Sequence, residues 1–295
     1  MQKNIILYHK NCPDGSTSAA IAYKKFGAQA LYFPCSYDDS LPTEVLNIDN
    51  KGTTNIYILD FSFAKDILDS LEKDFLSLTI LDHHASSQGV VESMSGGHFD
   101  NNMSGASLSW QYFFDAPIPK FIKIIETIDL FKDTHNELED ITAYINSLDY
   151  SIETYVRLLD TFDALYDKYR QEGASINRYV GLLEDMTTKG FDVVEFEGVR
   201  MPAVNMTFDI NTKSRILAKL YKTMPPVAMS YRYKGGQWKI SLRSNGDFDV
   251  TTIACKYGGG GHKSAAGCVI DAADGRVFFK LVGKWKDGEF IEADI

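Results

Sequence analysis

The sequence predicts an α/β protein: an N-terminal parallel-sheet domain with a helical extension, joined to a smaller C-terminal α/β domain. Three observations carry that prediction. Up to His84 the chain alternates short, β-rich apolar runs with helical patterns, the βαβ signature of a parallel sheet. Polar residues suited to metal binding cluster just after three of those runs, and parallel sheets bind ligands beyond the carboxyl ends of their strands. The length, 295 residues, suits two domains at about 100–200 residues each.

The elements follow in order. Residues 4–8 (NIILY) read as a buried strand, and Pro13, Asp14 and Gly15 as turn residues. A helix follows, capped by Ser16 or Ser18 and ended by Gly27. Residues 30–34 form a short strand, 55–61 (NIYILDF) a strand with an acid near its end, 64–75 a helix and 78–81 (LTIL) a strand running into Asp82-His83-His84. Helices are predicted over 106–114, 119–130, 138–148, 152–169 and 175–186. A Lys-Gly break and β-like residues place the boundary at 187–200, giving domains at 1–187 and 200–295 with a linker at 188–199. Beyond it, 227–233 and 238–243 read as a hairpin, 250–257 as a helix, and 268–270 and 276–282 as strands.

The composition is that of a globular protein, with 44% hydrophobic and 24% charged residues. The net charge of -10 argues against broad binding to long duplex nucleic acid, which needs a basic surface. The acidity is uneven. From Asp192 onward the chain holds 15 Lys and Arg against 12 Asp and Glu, whereas the residues before it hold 15 against 28. Cys12, Cys35, Cys255 and Cys268 show no CxxC spacing and read as free thiols. The run Ile5–Tyr8 is too short for a signal core or a membrane span, and no later stretch reaches about 18 apolar residues, so a soluble cytoplasmic protein is expected.

Among the six histidines, His83 and His84 stand adjacent, beside an acid, directly after a buried strand. Charge placed there must be paired or bound to metal. Imidazole with carboxylate suits a borderline divalent ion. The turn His9–Gly15 adds an imidazole and Asp14, a second strand end adds Asp60, and Asp129 sits in an otherwise apolar helical segment. His9, Asp14, Asp60, His83 and Asp129 form the candidate ligand set, with Asp60 the economical bridge between two ions in phosphoryl transfer and Asp82 and His84 close by. His98 and His135 read as structural or surface residues. Phe61, Phe63 and Tyr257 are candidates for stacking on a base.

The segments ILYHKNCPDGSTSAA, YILDF, ILDHH, ETIDLF and GGGGHKSAAGC resemble the DHH phosphoesterase superfamily, DHHA1 branch, over essentially the whole chain. The resemblance implies a divalent-metal-dependent phosphoesterase using Mn2+ (one or two ions, or another divalent metal). Its active site would lie in the interdomain cleft, and its substrate would be a nucleotide or short single-stranded oligonucleotide. Hydrolysis of signalling nucleotides such as pAp or linear and cyclic dinucleotides is one alternative; a catalytically weakened nucleotide-binding regulator is another. No membrane partner is expected, and the oligomeric state is left open, a dimer included.

Residue by residue, the resemblance gives Asp82, His83 and His84 catalytic positions, with Asp82 orienting a ligating histidine and His84 facing the substrate. It gives Gly258, Gly259, Gly260, Gly261 and His262 a phosphate clamp, Arg243 a contact to phosphate or base, and Ser104-Gly105 a substrate-contacting turn. Many members carry two acids spaced DxD in the first motif. Here only Asp14 is present. In the preferred register Cys12 stands at the first acid; in the other, Ser16 replaces the second.

Overall fold

The computed structural model describes residues 3–37, 39–130, 132–133, 137–208, 210–272 and 277–293. His135 and Arg276 lie outside the described residues. The chain divides into two compact units, Met1–Asn177 and Arg178–Ile295.

The first unit is built on five parallel strands in the order β2-β1-β3-β4-β5: β1 Lys3–His9, β2 Ala30–Cys35, β3 Thr54–Leu59, β4 Ser77–Asp82 and β5 Gly97–Phe99. The central strands are apolar runs because both faces of the sheet are covered. Ile6, Tyr8, Leu59 and Leu81 face a core shared with α1 (Pro13–Phe26), α5 (Gly105–Phe114), α6 (Lys120–Asp129), α7 (Glu139–Asn146) and α8 (Ile152–Thr188). Ile5, Leu7, Ile56, Ile58 and Ile80 face a second core with α2 (Thr43–Leu46), α3 (Lys65–Asp74) and α4 (Gln88–Glu92).

The second unit carries an eight-stranded sheet, order β10-β11-β9-β8-β7-β6-β12-β13. Its strands are β6 Gly190–Phe196, β7 Val199–Asn205, β8 Val227–Lys234, β9 Gln237–Ser244, β10 Gly260–His262, β11 Ala265–Asp271, β12 Lys280–Lys286 and β13 Glu289–Glu292. Only the β7–β8 pairing is parallel. One face packs on α9 (Ile210–Thr223) through Ile216, Leu217 and Leu220. The other face packs Met229, Ile240 and Leu242 against Val250, Ile253 and α10 (Thr251–Ala254).

Several elements differ from the sequence reading. The units divide inside α8, and the expected linker at 188–199 holds β6, a paired strand. The two helices expected over 152–169 and 175–186 are one, because Gly173 is a point of close packing and not a break: a Cβ there would lie 1.8 Å from the Asp140 carbonyl oxygen. The first helix starts at Pro13, whose missing N–H suits the first turn, with the Cys12 thiol accepting from Gly15 N. The helix expected over 250–257 is only α10 and a following 3₁₀ turn, and the last predicted strand lies later, at β12. α9 and β5 are absent from the elements predicted above. All four cysteines are free. Among the described residues, no helix is long and apolar enough to cross a membrane.

Candidate metal centre

The register of the first sheet sets the site. Tyr8 pairs with Leu59, and Leu59 with Leu81, so the next residue of each adjacent strand end, His9, Asp60 and Asp82, falls in one row at the carboxyl edge. Asp60 leaves β3 in the left-handed region (φ 66°), a conformation that Asp tolerates better than most side chains. Its N–H donates to Leu81 O at 2.8 Å, and its carboxylate is fully buried.

Three carboxylates converge on one nitrogen. His83 Nε2 lies 3.1 Å from Asp60 Oδ1, 3.4 Å from Asp129 Oδ2 and 3.7 Å from Asp14 Oδ2. One imidazole proton can serve only one of these acceptors. The other oxygen of Asp60 turns to a second group: Oδ2 is 3.4 Å from His9 Nδ1 and accepts from Cys12 Sγ at 3.6 Å. His9 Nδ1 is buried without a well-formed hydrogen bond. Asp129 is the last residue of α6, where the helix dipole opposes an acid, so helix stability does not account for it.

The titration behaviour follows from this crowding. Burial, then the charges of Asp60 and Asp129, push the Asp14 carboxyl well above its ordinary range. Burial and Asp60 push Asp129 up as well, against the pull of the histidines. Burial would also raise Asp60, but hydrogen bonding with His83, His9 and Asp14 outweighs it and holds its carboxyl below the ordinary range. Burial, Asp60 and Asp14 raise Cys12 well above an ordinary thiol. None of the three acids forms an ion pair with a lysine or arginine among the described residues. Carboxylates and imidazoles in this arrangement suit a divalent cation. Two three-residue groups could hold one, His9 with Asp60 and His84, and Asp14 with His83 and Asp129, and the two oxygens of Asp60 face one histidine of each.

Asp82 is fully buried and already saturated. Oδ1 accepts from His83 N at 2.7 Å, His84 N at 3.2 Å and His84 Nδ1 at 2.8 Å, and Oδ2 accepts from Ser87 Oγ. It orients the two histidines. Burial alone would lower the His84 pKa, but the hydrogen bond to Asp82 and the charges of Asp60, Asp82 and Asp129 raise it.

Some residues serve differently from the expectation. Ser104 is fully buried and caps α5, accepting from Ser107 N at 3.3 Å, so its side chain is closed to a substrate. Gly105 N and Ala106 N donate to the two oxygens of Asp14 at 2.6 and 2.9 Å, so the carboxyl group is held at the N-terminus of α5. Phe61 and Phe63 are 0% and 3% exposed and belong to the core, which removes them as base-stacking residues. Tyr37 is the accessible ring instead, 38% exposed, 5.3 Å from His9 and 5.6 Å from His84. Tyr257 stacks on Phe196 and donates to Glu197. Cys12 faces Asp60, whereas Ser16 Oγ donates to Tyr150 O, so Cys12 is the first-motif side chain that meets the cluster beside Asp14. His98 is exposed on β5, edge-on to Tyr112.

The C-terminal candidates share one sheet end in the second unit. His262 pairs with Ala265, and Ala265 with Arg243. Arg243 Nε donates to Ser214 Oγ at 3.3 Å, and burial lowers its pKa. Two of the four glycines have packing reasons: a Cβ on Gly259 would lie 2.2 Å from Gly267 O, and one on Gly261 2.4 Å from Ala265 O. Gly258 is left-handed at φ 69°, and Gly260 and His262 are exposed on the edge strand β10.

Ser87, Tyr37 and Ala106 are the contributors that the sequence reading lacks. Ser87, five residues beyond Asp82, had a local signal as a turn-former whose Oγ also donates to His84 O.

Residues 208–286 match the family model of the DHHA1 domain. The chain is 25% identical over 299 aligned positions to Uncharacterized protein R106 of Acanthamoeba polyphaga mimivirus, covering 95% of this chain and 70% of that one. Among solved structures it is similar to an exopolyphosphatase-related protein from Bacteroides fragilis, with a TM-score of 0.50, 13% identity and coverage of 90% of this chain and 86% of that one. A pGpG-specific phosphodiesterase from Vibrio cholerae gives a TM-score of 0.48 at 12% identity, covering 92% and 94%. An uncharacterized protein from Helicobacter pylori G27 gives 0.43 at 14%, covering 94% of each chain. At these identities the Bacteroides likeness speaks to the fold.

Proposed function

We propose that this chain, whose residues 208–286 match the DHHA1 domain, is a phosphoesterase of the DHH/DHHA1 type: a divalent-metal-dependent hydrolase of phosphodiester or phosphomonoester bonds in small nucleotides or short oligonucleotides. The observation that carries the reading is the convergence of Asp14, Asp60 and Asp129 on His83 Nε2. Such a crowding of carboxylates around one imidazole, at the carboxyl edge of a parallel sheet, supports a cation site there.

His9, Asp14, Asp60, His83 and Asp129 are the residues that would hold Mn2+, in one or two ions, with Asp60 shared. A bound ion of this kind supplies a water of lowered pKa and neutralises charge on phosphoryl oxygens. The chain's own groups do the rest. Asp82 fixes the ring of His84 through Nδ1, as carboxylates commonly orient histidines around a metal. His84, held through Nδ1 by Asp82 and with its side chain 30% exposed, is placed to face a phosphoryl or leaving-group oxygen. Tyr37 offers a face on which a base can stack. Arg243, His262 and Gly258–Gly261 bind the phosphate end of the substrate.

The test is hydrolysis of a short oligonucleotide in Mn2+ by the wild type, Asp60→Ala and Asp82→Ala. Activity is expected to fall by about 10–100-fold or more in each variant. Undiminished turnover in both would sink the assignment.

A further inference from the structure

The face of the second sheet beyond α9 carries, beside Arg243, two cations that the site described so far does not use, Arg232 and Lys239. Along β9, Lys239, Ser241 and Arg243 alternate with the buried Trp238, Ile240 and Leu242, so they share one face. Directly opposite on β8 stand Arg232, facing Lys239, and Ser230, facing Ser241. On the other side β11 presents Gly267 opposite Ser241, which leaves the surface open. The result is a cavity of about 380 Å³ whose walls include Lys213 of α9, Ser230, Arg232, Lys239 and Ser241. It extends to Gly258 and Gly259, at the start of the glycine run.

Like charges directly opposite across a strand pair destabilise a sheet. Elsewhere in this unit cations are neutralised: Arg215 and Lys219 by Glu184, Lys219 also by Asp185, Lys256 by Glu197 and Arg200 by Glu195. Arg232 and Lys239 form no ion pair with a carboxylate among the described residues. Asp271, further along the same face of β11, takes a hydrogen bond from Gln237 at 2.8 Å. The pair is placed for an external anion. From Lys239 to Arg243 is about 13 Å at about 3.3 Å per strand residue, and at about 3.4 Å of rise per stacked nucleotide that length meets more than one phosphate.

We propose that Arg232 and Lys239 form a second phosphate subsite that takes an internal phosphate of an oligonucleotide, so that the preferred substrate is a chain with several phosphates and not a single nucleotide. This rests on the nucleotide-phosphoesterase reading above and narrows it.

Binding of a labelled RNA pentamer and of a labelled nucleoside monophosphate is measured by anisotropy on the full chain in EDTA, for wild type and the double variant Arg232→Gln/Lys239→Gln. The pentamer should bind about tenfold more weakly, with a salt slope smaller by about 1.4, while the monophosphate changes by less than about twofold. Arg232→Lys, which keeps the charge, should bind the pentamer as the wild type does. Equal losses for both ligands, or no loss for the pentamer, overturn the subsite. Mn2+-dependent hydrolysis of the same pentamer by the wild type separates the two readings. A length-dependent binding loss with no hydrolysis overturns the phosphoesterase reading alone, and hydrolysis with no length-dependent loss overturns the subsite alone.

Discussion

Gly105 lies against the carboxylate of Asp60 so closely that a Cβ at position 105 would sit 2.5 Å from Asp60 Cβ and 2.6 Å from Oδ1. The same residue's N–H donates to Asp14 at 2.6 Å. One backbone position therefore fixes two of the acids proposed to hold metal. Gly105→Ala should push Asp60 aside and lift the start of α5 from Asp14, lowering Mn2+ affinity by about 10-fold or more, as loss of supporting contacts around a metal does. Titration calorimetry reads this directly. Gly52→Ala, at a position with open space around it, is the control and should bind Mn2+ normally.

Tyr37 is the accessible ring in the aromatic group around His9 and His84. Stacking on a base is worth about 1–3 kcal/mol. Tyr37→Ala should raise KM for a dinucleotide by about 5–150-fold on that scale and leave KM for an aryl phosphodiester nearly as it was, while Tyr37→Phe keeps the wild-type value. Equal changes for the nucleotide and the aryl ester would show that the ring supports the site and does not read the base.

Metal binding should be proton-linked, with a definite sign. In the metal-free fold Asp14 and Asp129 have raised pKa values, so they bind more protons than in the unfolded chain. Their contribution to stability falls as pH rises from the ordinary carboxylate range through the folded values. The raised pKa of His84 acts in the same direction, its contribution being present below the unfolded value and lost as pH rises through the folded one. Asp60, whose pKa is lowered, contributes the opposite way, its stabilisation being present above its unfolded value. A bound cation requires the acids ionised. The difference in Tm between Mn2+-loaded and EDTA-treated protein should therefore grow from about pH 5 to about pH 8, with protons released on binding. A gap that is constant over that window would contradict the assignment of Asp14 and Asp129 as ligands.

Strand-end residues were legible because sequence order maps directly onto position in a parallel sheet: a polar residue after an apolar run of five or so must emerge at the carboxyl edge. That logic located His9, Asp60 and Asp82 without any tertiary information. It does not extend to Asp14 held by Gly105 N across 91 residues of sequence, because that contact depends on where α5 starts and not on any local pattern. Nor does it separate Phe61 and Phe63, buried by α3 and the sheet, from Tyr37, since an aromatic on a loop carries no periodicity to say which way it faces. The sequence places Ser104-Gly105 at the site, but not its contacts with Asp14 and Asp60, which depend on the tertiary position of the turn.

Glycine is where the sequence misled most, and α8 offers a test within one helix. Gly173 and Gly181 both lie inside Ile152–Thr188, and by propensity both should weaken it. Their surroundings differ. A Cβ on Gly173 would meet Asp140 O at 1.8 Å and Tyr144 Cβ at 3.1 Å, so α7 would have to move; a Cβ on Gly181 would meet nothing within 4 Å. Gly173→Ala should destabilise by about 1–3 kcal/mol, the cost of overpacking against backbone. Gly181→Ala should stabilise by about 0.4–1 kcal/mol through the lower entropy of the unfolded chain. Urea denaturation of the two variants beside the wild type reads both. Shifts of the same sign would mean that α8 breaks near Gly173, as two separate helices would.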